Sequence, residues 1–400
     1  MKRVISVILT LTVTAGALFL SGCVNGSESG GTSYAPASVS SDNEAYEIVM
    51  ISGSGGIDDK SFNSGTWEGV TAYASSRGIT HIYLQPASEG TADCLASIDK
   101  AVTSGAKVII LPGSDFCAAV YEAQSSYPDT KFIILDGTPE SSDGASAGAL
   151  TNTAAIMFSE EECGFLAGYA AVKDGYLQLG FVGGKPLSAV QAFLYGYIQG
   201  AETAAKELKL ADGKVSLTYA FTGDFNETDA NRALAADMYK GEAEVIFACC
   251  GAAAKSVIAA SEDENGKVIG VDSDMRSYSK NVITSAKKEL SAAVQLVLAS
   301  IYETNTFETY SGKTTYFNAA NGGVGLPVSV DGDKSADAFD RFKSFDRAAY
   351  DEIFKKLSEG TIKPLREIAA SEAGNAASAE DITAALSLTK VTVISVGGAS

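Results

Sequence analysis

Short apolar runs rich in β-branched residues recur along the chain. Most stop at Gly, Pro, Asp or Ser, and longer stretches of helical spacing lie between them. Residues 47–51, 81–84, 107–111, 131–135, 178–182, 215–220, 244–248 and 267–271 read as strands. Residues 61–77, 91–104, 115–126, 160–173, 188–208, 229–239, 252–262 and 285–304 read as amphipathic helices. This alternation predicts an α/β protein with parallel sheets flanked by helices. The elements divide near residue 152 into two similar sets, which suits two lobes with a cleft between them. Further on, residues 318–325 read as a glycine-rich turn, 326–330 as a strand and 346–357 as a helix. Residues 371–400 start Ala/Ser/Glu-rich and finish in an apolar run, 391–396; this tail has no assigned role.

The first residues have a different pattern. Lys2 and Arg3 precede an apolar stretch, residues 4–20, closed by Leu20-Ser21-Gly22-Cys23. A membrane span competes with this reading, because the stretch is nearly long enough. Small residues before the Cys and a polar flank after it favour a cleaved signal peptide, residues 1–22. The LSGC pattern resembles a bacterial lipobox, which implies lipidation of Cys23. Residues 23–45, rich in Gly, Ser and Asn, read as a flexible tether between a membrane-held lipid and the body. The implied location is the extracytoplasmic face of the cell membrane.

The formal net charge is −19, and removal of Lys2 and Arg3 takes it two units further. Such acidity argues against nucleic-acid binding, which requires basic patches. Besides Cys23 there are Cys94, Cys117, Cys163, Cys249 and Cys250, with no C-x-x-C pair, and His81 is the sole histidine. A zinc site has almost no ligand set, and Asp58-Asp59 is the one weak hint of a metal. Mostly free, buried thiols are expected. No G-x-S-x-G, H-E-x-x-H or P-loop occurs, and GFVGG at 180–184 lacks dinucleotide-loop spacing. Neither a cofactor nor an enzyme is expected.

Residues 46–70, YEIVMISGSGGIDDKSFNSGTWEGV, place a glycine-rich loop at the end of the first strand. Further on come KFIILDG (131–137), EECGFLAGYAA (161–171), YAFTGDFN (219–226), a strand ending at Gly251, GVDSD (270–274) and Thr284-Ser285-x-x-Lys288. In this order the segments, over roughly residues 46–300, closely resemble the basic membrane protein family of lipoproteins. That family includes the purine nucleoside receptor of spirochaetes. The resemblance implies a monomeric substrate-binding protein of an ABC importer, with permease and ATPase partners. It also implies a type I periplasmic binding protein fold that closes by a hinge. The lobes are expected at 46–152 plus about 281–325, and at 153–280 plus about 326–370, with chain crossings near 152, 280 and 325.

By the same resemblance, Phe62 and Phe225 are stacking faces for a flat base and Asn63 is a polar contact. Asp136 and Asp272 are carboxylates for ribose hydroxyls or the base. Gly251 brings backbone close to the ligand, and Lys288 donates to a purine acceptor. Each has a plainer alternative: Phe62 as a core residue, Asp136 as a turn cap, and Lys288 as a solvated lysine, with Lys287 competing for its place. Asp58, Asp59 and Asp274 read as helix-terminal or turn charges. Gly113–Phe116, a strand-end turn, is expected at the same cleft. Where the family usually carries Asp after the first strand, this chain has Gly53, so Ser52 or Ser54 substitutes or the ligand preference has shifted. A sugar or other small solute on the same fold, a nucleoside sensor, and a nucleoside-processing protein are the competing functions.

Overall fold

A computed structural model describes residues 45–53, 55–330, 336–371 and 376–397. The expected signal peptide, Cys23 and the tether up to residue 44 lie outside the described residues, as does Ser54. No helix among the described residues is long and apolar enough to cross a membrane.

The first half contains β1 (Ile48–Ile51), α1 (Phe62–Ser75), β2 (His81–Leu84), α2 (Thr91–Thr103), β3 (Val108–Pro112), α3 (Cys117–Ser126), β4 (Lys131–Leu135), β5 (Thr153–Phe158) and α4 (Glu160–Lys173). The second contains β6 (Gln178–Gly183), α5 (Ser188–Glu207), β7 (Val215–Phe221), α6 (Asp229–Lys240), β8 (Val245–Cys249), α7 (Ala254–Glu264), β9 (Lys267–Asp272), β10 (Val282–Lys288) and α8 (Leu290–Tyr302). After these come β11 (Lys313–Phe317), β12 (Val324–Gly325), α9 (Arg347–Ser358), α10 (Ala379–Leu386) and β13 (Val391–Ser395).

The strands form two sheets, ordered β11-β5-β4-β3-β1-β2 and β12-β10-β9-β8-β6-β7-β13. All pairings are parallel except β10 with β12. Every residue of β1, β3 and β8 is buried, as expected where helices cover both faces of a parallel sheet. The two sheets repeat one plan. β1 to β5 and β6 to β10 both follow the order 2-1-3-4-5, so β4 corresponds to β9 and β5 to β10. In such sheets ligands sit outside the carboxyl ends of the strands, near the point where strand order reverses.

Pairing moves two boundaries. Residues 153–158 were expected to open the second lobe, but β5 joins the first sheet beside β4, with Ile133 opposite Ala154. Residues 282–288 were expected in the first lobe, with a helix from 285, but they form β10 in the second sheet, with Ser285 opposite Gly270. The misleading polar residues are satisfied inside: Ser285 Oγ accepts the Met275 N–H at 3.0 Å. The expected strand at 326–330 is absent; the pairing residues are Val324 and Gly325. The tail extends the second sheet, where β13 pairs with β7 and Glu202 accepts the N–H groups of Thr389, Lys390 and Val391 at 2.9–3.0 Å.

The chain passes between sheets at three places: between β5 and α4, between β10 and α8, and between β11 and β12. These crossings bond to each other. Ser159 N–H donates to Phe317 O and Glu289 N–H to Gly323 O, both at 2.9 Å. Helices α4 and α5 lie in intimate contact through glycines. A β-carbon on Gly164, Gly168, Gly196 or Gly200 would fall 2.0–2.2 Å from a backbone oxygen of the opposite helix. These glycines let one helix pack directly on the other.

Candidate functional site

A cavity of about 200 Å³ lies between the carboxyl ends of the two sheets. Phe62, Asn63, Asp136, Phe225, Gly251, Asp272 and Lys288 all line it, although they come from six separate strand ends, loops and helix starts. Asp136 directly follows β4 and Asp272 ends β9, the equivalent positions of the two sheets. Both adopt left-handed backbone, with φ of 54° and 62°. Few residues other than glycine take this conformation, and Asp is among those that tolerate it.

Lys288, at the end of β10, lies between them. Its Nζ is 2.5 Å from Asp136 Oδ2, 2.9 Å from Glu160 Oε1 and 3.7 Å from Asp272 Oδ1. The side chain is 2 % exposed. Its neighbour Lys287 points the other way and pairs with Glu289 at 2.9 Å, because successive residues of a strand face opposite sides. The Lys288 ammonium also stands 4.9 Å from the Phe62 ring centre, 5.2 Å from that of Phe193 and 5.4 Å from that of Phe158, within cation–π range.

Behind the lysine, Glu160 Oε2 meets Arg366 at 2.5 Å, and the same nitrogen reaches Glu161 and the Phe158 carbonyl, both at 2.8 Å. Glu162 accepts the Ala319 N–H at 2.7 Å. Three successive glutamates at the start of α4 thus bind three parts of the crossing region, where the helix dipole also favours negative charge. Neither Glu160 nor Arg366 stood out in the sequence. The run of three acids was the available signal, but its partners lie more than a hundred residues away.

Burial raises the Asp136 carboxyl to about 7, against the opposing pull of Lys288. Burial also raises Asp272, with Lys288 and the Ser61 hydroxyl working the other way. For Glu160, burial is outweighed by Lys288 and Arg366, which together hold it below the ordinary carboxylate range. Burial opposes the charge on Lys288, but its three carboxylates raise it above the ordinary lysine range. Asp136 Oδ1 is buried and without a hydrogen-bond partner, so one acceptor at the cavity is open.

The wall formed by the β1 loop is tied down. Asn63 Oδ1 accepts the Gly53 N–H at 2.9 Å, and its Nδ2 donates to Asp59 Oδ2 at 2.9 Å. Asp59 also accepts the N–H groups of Ser61, Asn63 and Ser64 at 2.8–2.9 Å, so it anchors the start of α1 as the sequence suggests. Ser52 is fully buried and its hydroxyl reaches the Leu84 carbonyl at 3.4 Å. It does not line the cavity and supplies no replacement there for an acid at position 53. Asp274 caps the following turn, accepting the Arg276 N–H at 3.1 Å.

On the far wall, Phe225 rests against two glycines. A β-carbon on Gly184 would come within 2.2 Å of its ring, and one on Gly251 within 3.4 Å. Gly251 has φ of 56°, which glycine adopts without strain. The turn at Gly113–Asp115 lines the cavity as the sequence suggests, and Phe193, Met157 and Val190, which the sequence did not single out, line it too. The two walls are bridged at 2.6 Å by Ser61 Oγ donating to Asp272 Oδ2, and at 2.5 Å by Lys185 with Glu89. Cys249 lines the cavity, and burial raises its thiol well above the ordinary range. His81 lies at the opposite end of its strand. All five described cysteines are unpaired, and no group of metal-binding side chains occurs among the described residues.

Residues 46–366 match the family model for PnrA-like ABC transporter substrate-binding proteins. Basic membrane protein A of Borreliella burgdorferi is 30% identical over 276 residues, 68% of this chain and 76% of that protein. An ABC transporter nucleoside-binding protein of Lactococcus lactis subsp. cremoris is 27% identical over 348 residues, 81% of this chain and 91% of its own. Among solved structures, an ABC transporter solute-binding protein of Aeropyrum pernix K1 superposes with a TM-score of 0.68. It is 20% identical and covers 80% of this chain and 94% of its own.

Proposed function

The chain belongs to the PnrA-like family of ABC-transporter substrate-binding proteins, which bind rather than transform their solutes, and from that premise we propose that it is a nucleoside receptor with a preference for purines. The observation that carries the reading is the pair of equivalent strand-end aspartates facing one buried lysine in an aromatic-lined cavity. An ionised carboxylate accepts hydrogen bonds at both oxygens, and Asp136 retains an open acceptor. Neighbouring ribose hydroxyls supply the donors it needs. Phe62 and Phe225 supply apolar faces for the base, and Lys288 a donor for a hydroxyl or ring acceptor. Asp136, Glu160 and Asp272 around the single Lys288 disfavour a phosphate, which favours a nucleoside over a nucleotide. The similar nucleoside-binding protein of Lactococcus lactis supports the same ligand class.

In this reading the first and second sheets with their helices are lobes that close by bending at the three crossings. The body is monomeric, held outside the cytoplasm by lipid on Cys23, and delivers its ligand to the permease and ATPase of an importer. Calorimetric titration of refolded, ligand-stripped protein with purine and pyrimidine nucleosides, free bases and sugars tests the ligand class. Stoichiometric heat with a purine nucleoside and no product by chromatography is expected. Binding of a sugar in preference to every nucleoside overturns the reading.

A further inference from the structure

A second cavity, of about 230 Å³, adjoins the first. Gly53 and Asp115 line both. The sheet order explains their placement. Along the carboxyl edge of the first sheet, Asp136 follows β4, Pro112 ends β3, Gly53 follows β1 and Gln85 follows β2. β4 and β2 are three strand spacings apart, about 14 Å at roughly 4.8 Å each. The first cavity covers the β4-to-β1 part of this edge and the second continues to β2.

Position 53 stands at the junction. A β-carbon there would approach Asn63 Oδ1 at 3.5 Å, Asn63 Nδ2 at 3.7 Å and Pro112 O at 3.9 Å. Asn63 and Pro112 both line the first cavity, so a side chain on residue 53 would stand at that cavity's wall, beside the segment the two cavities share. The far chamber is walled by Gln85, Glu89, Asp115, Cys94 and Phe116. Among the described residues its wall carries two acids, Glu89 and Asp115, and Lys185 reaches in from the opposite wall to pair with Glu89 at 2.5 Å. Burial raises the Asp115 carboxyl, with Lys185 opposing and Glu89 adding to the rise. Burial also holds the Cys94 thiol at about 11, so that part of the wall is uncharged at neutral pH.

We propose that the missing side chain at Gly53 joins the two cavities into one elongated site, and that the ligand is a nucleoside whose base carries an amine-bearing substituent lodged in the chamber beside Glu89 and Asp115. This rests on the nucleoside reading, with ribose at Asp136 and Asp272 and the far edge of the base directed toward β2. A purine extends its exocyclic group away from the sugar, so a substituent there follows the strand edge into the chamber.

The test is calorimetric titration of the full chain in detergent with three probes: adenosine, adenosine bearing an aminoethyl group on its exocyclic nitrogen, and the propyl analogue of equal size. The aminoethyl probe is expected to bind at least as tightly as adenosine and about tenfold tighter than the propyl probe. Glu89→Gln should bring the aminoethyl and propyl affinities together, whatever the loss of its wall-bridging pair with Lys185 does to adenosine binding itself. Gly53→Val should weaken the aminoethyl probe about tenfold more than it weakens adenosine. Good binding of adenosine with exclusion of both substituted probes overturns the joined site and leaves the nucleoside reading intact. Equal binding of aminoethyl and propyl probes overturns the acidic recognition. Absence of heat with all three, from protein whose circular dichroism is native, overturns the nucleoside reading and this inference together.

Discussion

The two ends of the cavity are built from different materials. At the crossings, Lys288, Asp136, Asp272, Glu160 and Arg366 form a buried chain of charge with distances of 2.5–3.7 Å. At the far end, Gly53, Gly184 and Gly251 give way to aromatic rings, amides and loop backbone. A buried ion network tolerates little change, because removing one partner strands the others without solvation. A wall shaped by glycine changes when a single β-carbon is added. The first arrangement suits a part of the ligand that does not vary, such as a sugar. The second suits the part that distinguishes one ligand from another.

Replacing the lysine is the harshest challenge to this contrast. Lys288→Met should abolish nucleoside binding and lower stability by about 3–5 kcal/mol, the cost of leaving buried carboxylates unpaired; denaturant unfolding beside titration measures both. A variant of native stability would show that the charge network does not hold the crossings. Asp136→Asn should weaken ribonucleosides by about 1–3 kcal/mol and free bases hardly at all. If the unaltered protein binds free bases as tightly as nucleosides, the ribose role of Asp136 is lost.

At the far end, Phe225→Ala and Phe62→Ala should each cost about 1–2 kcal/mol of binding, in line with base–aromatic stacking, with little change in melting temperature for Phe225→Ala. A large drop in stability on removing Phe225 would make it a packing residue and erase the contrast.

The smallest effect is that of pH. With Asp136 raised to about 7, acceptance of ribose hydroxyls by an ionised carboxylate should make affinity fall about tenfold between pH 8 and pH 5.5, and Asp136→Asn should remove this dependence. The same group acts on stability with the opposite sign. Its raised value gives a contribution fully present below its ordinary 3.8 and lost as pH rises through about 7. Asp136→Asn should therefore flatten stability over that window.

Much of the molecule follows from the sequence. Apolar runs such as IVMI and VIILP admit few alternatives to buried parallel strands, and the expected spans at 81–84 and 131–135 are those observed. Asp136, Phe225, Gly251 and Asp272 were candidates through the family resemblance of their segments, and the structure brings all four to the lining of one cavity. The polar run at β10 was not read correctly, because Thr284 and Ser285 look solvent-facing although both are buried, Ser285 with the Met275 N–H as its partner. Lys288 could be separated from Lys287 only once β10 was a strand, since alternation then sends one inward.

Local pattern thus determined the elements, their α/β order and the loops that carry the chemistry, because side-chain periodicity is a property of neighbouring residues. Tertiary structure alone decided that Glu160 and Arg366, 206 positions apart by their numbers, lock behind Lys288. It also decided that the absence of a side chain at Gly53 lies between two cavities. Charge pairing and empty space depend on what the fold brings opposite, and no stretch of local sequence contains that information.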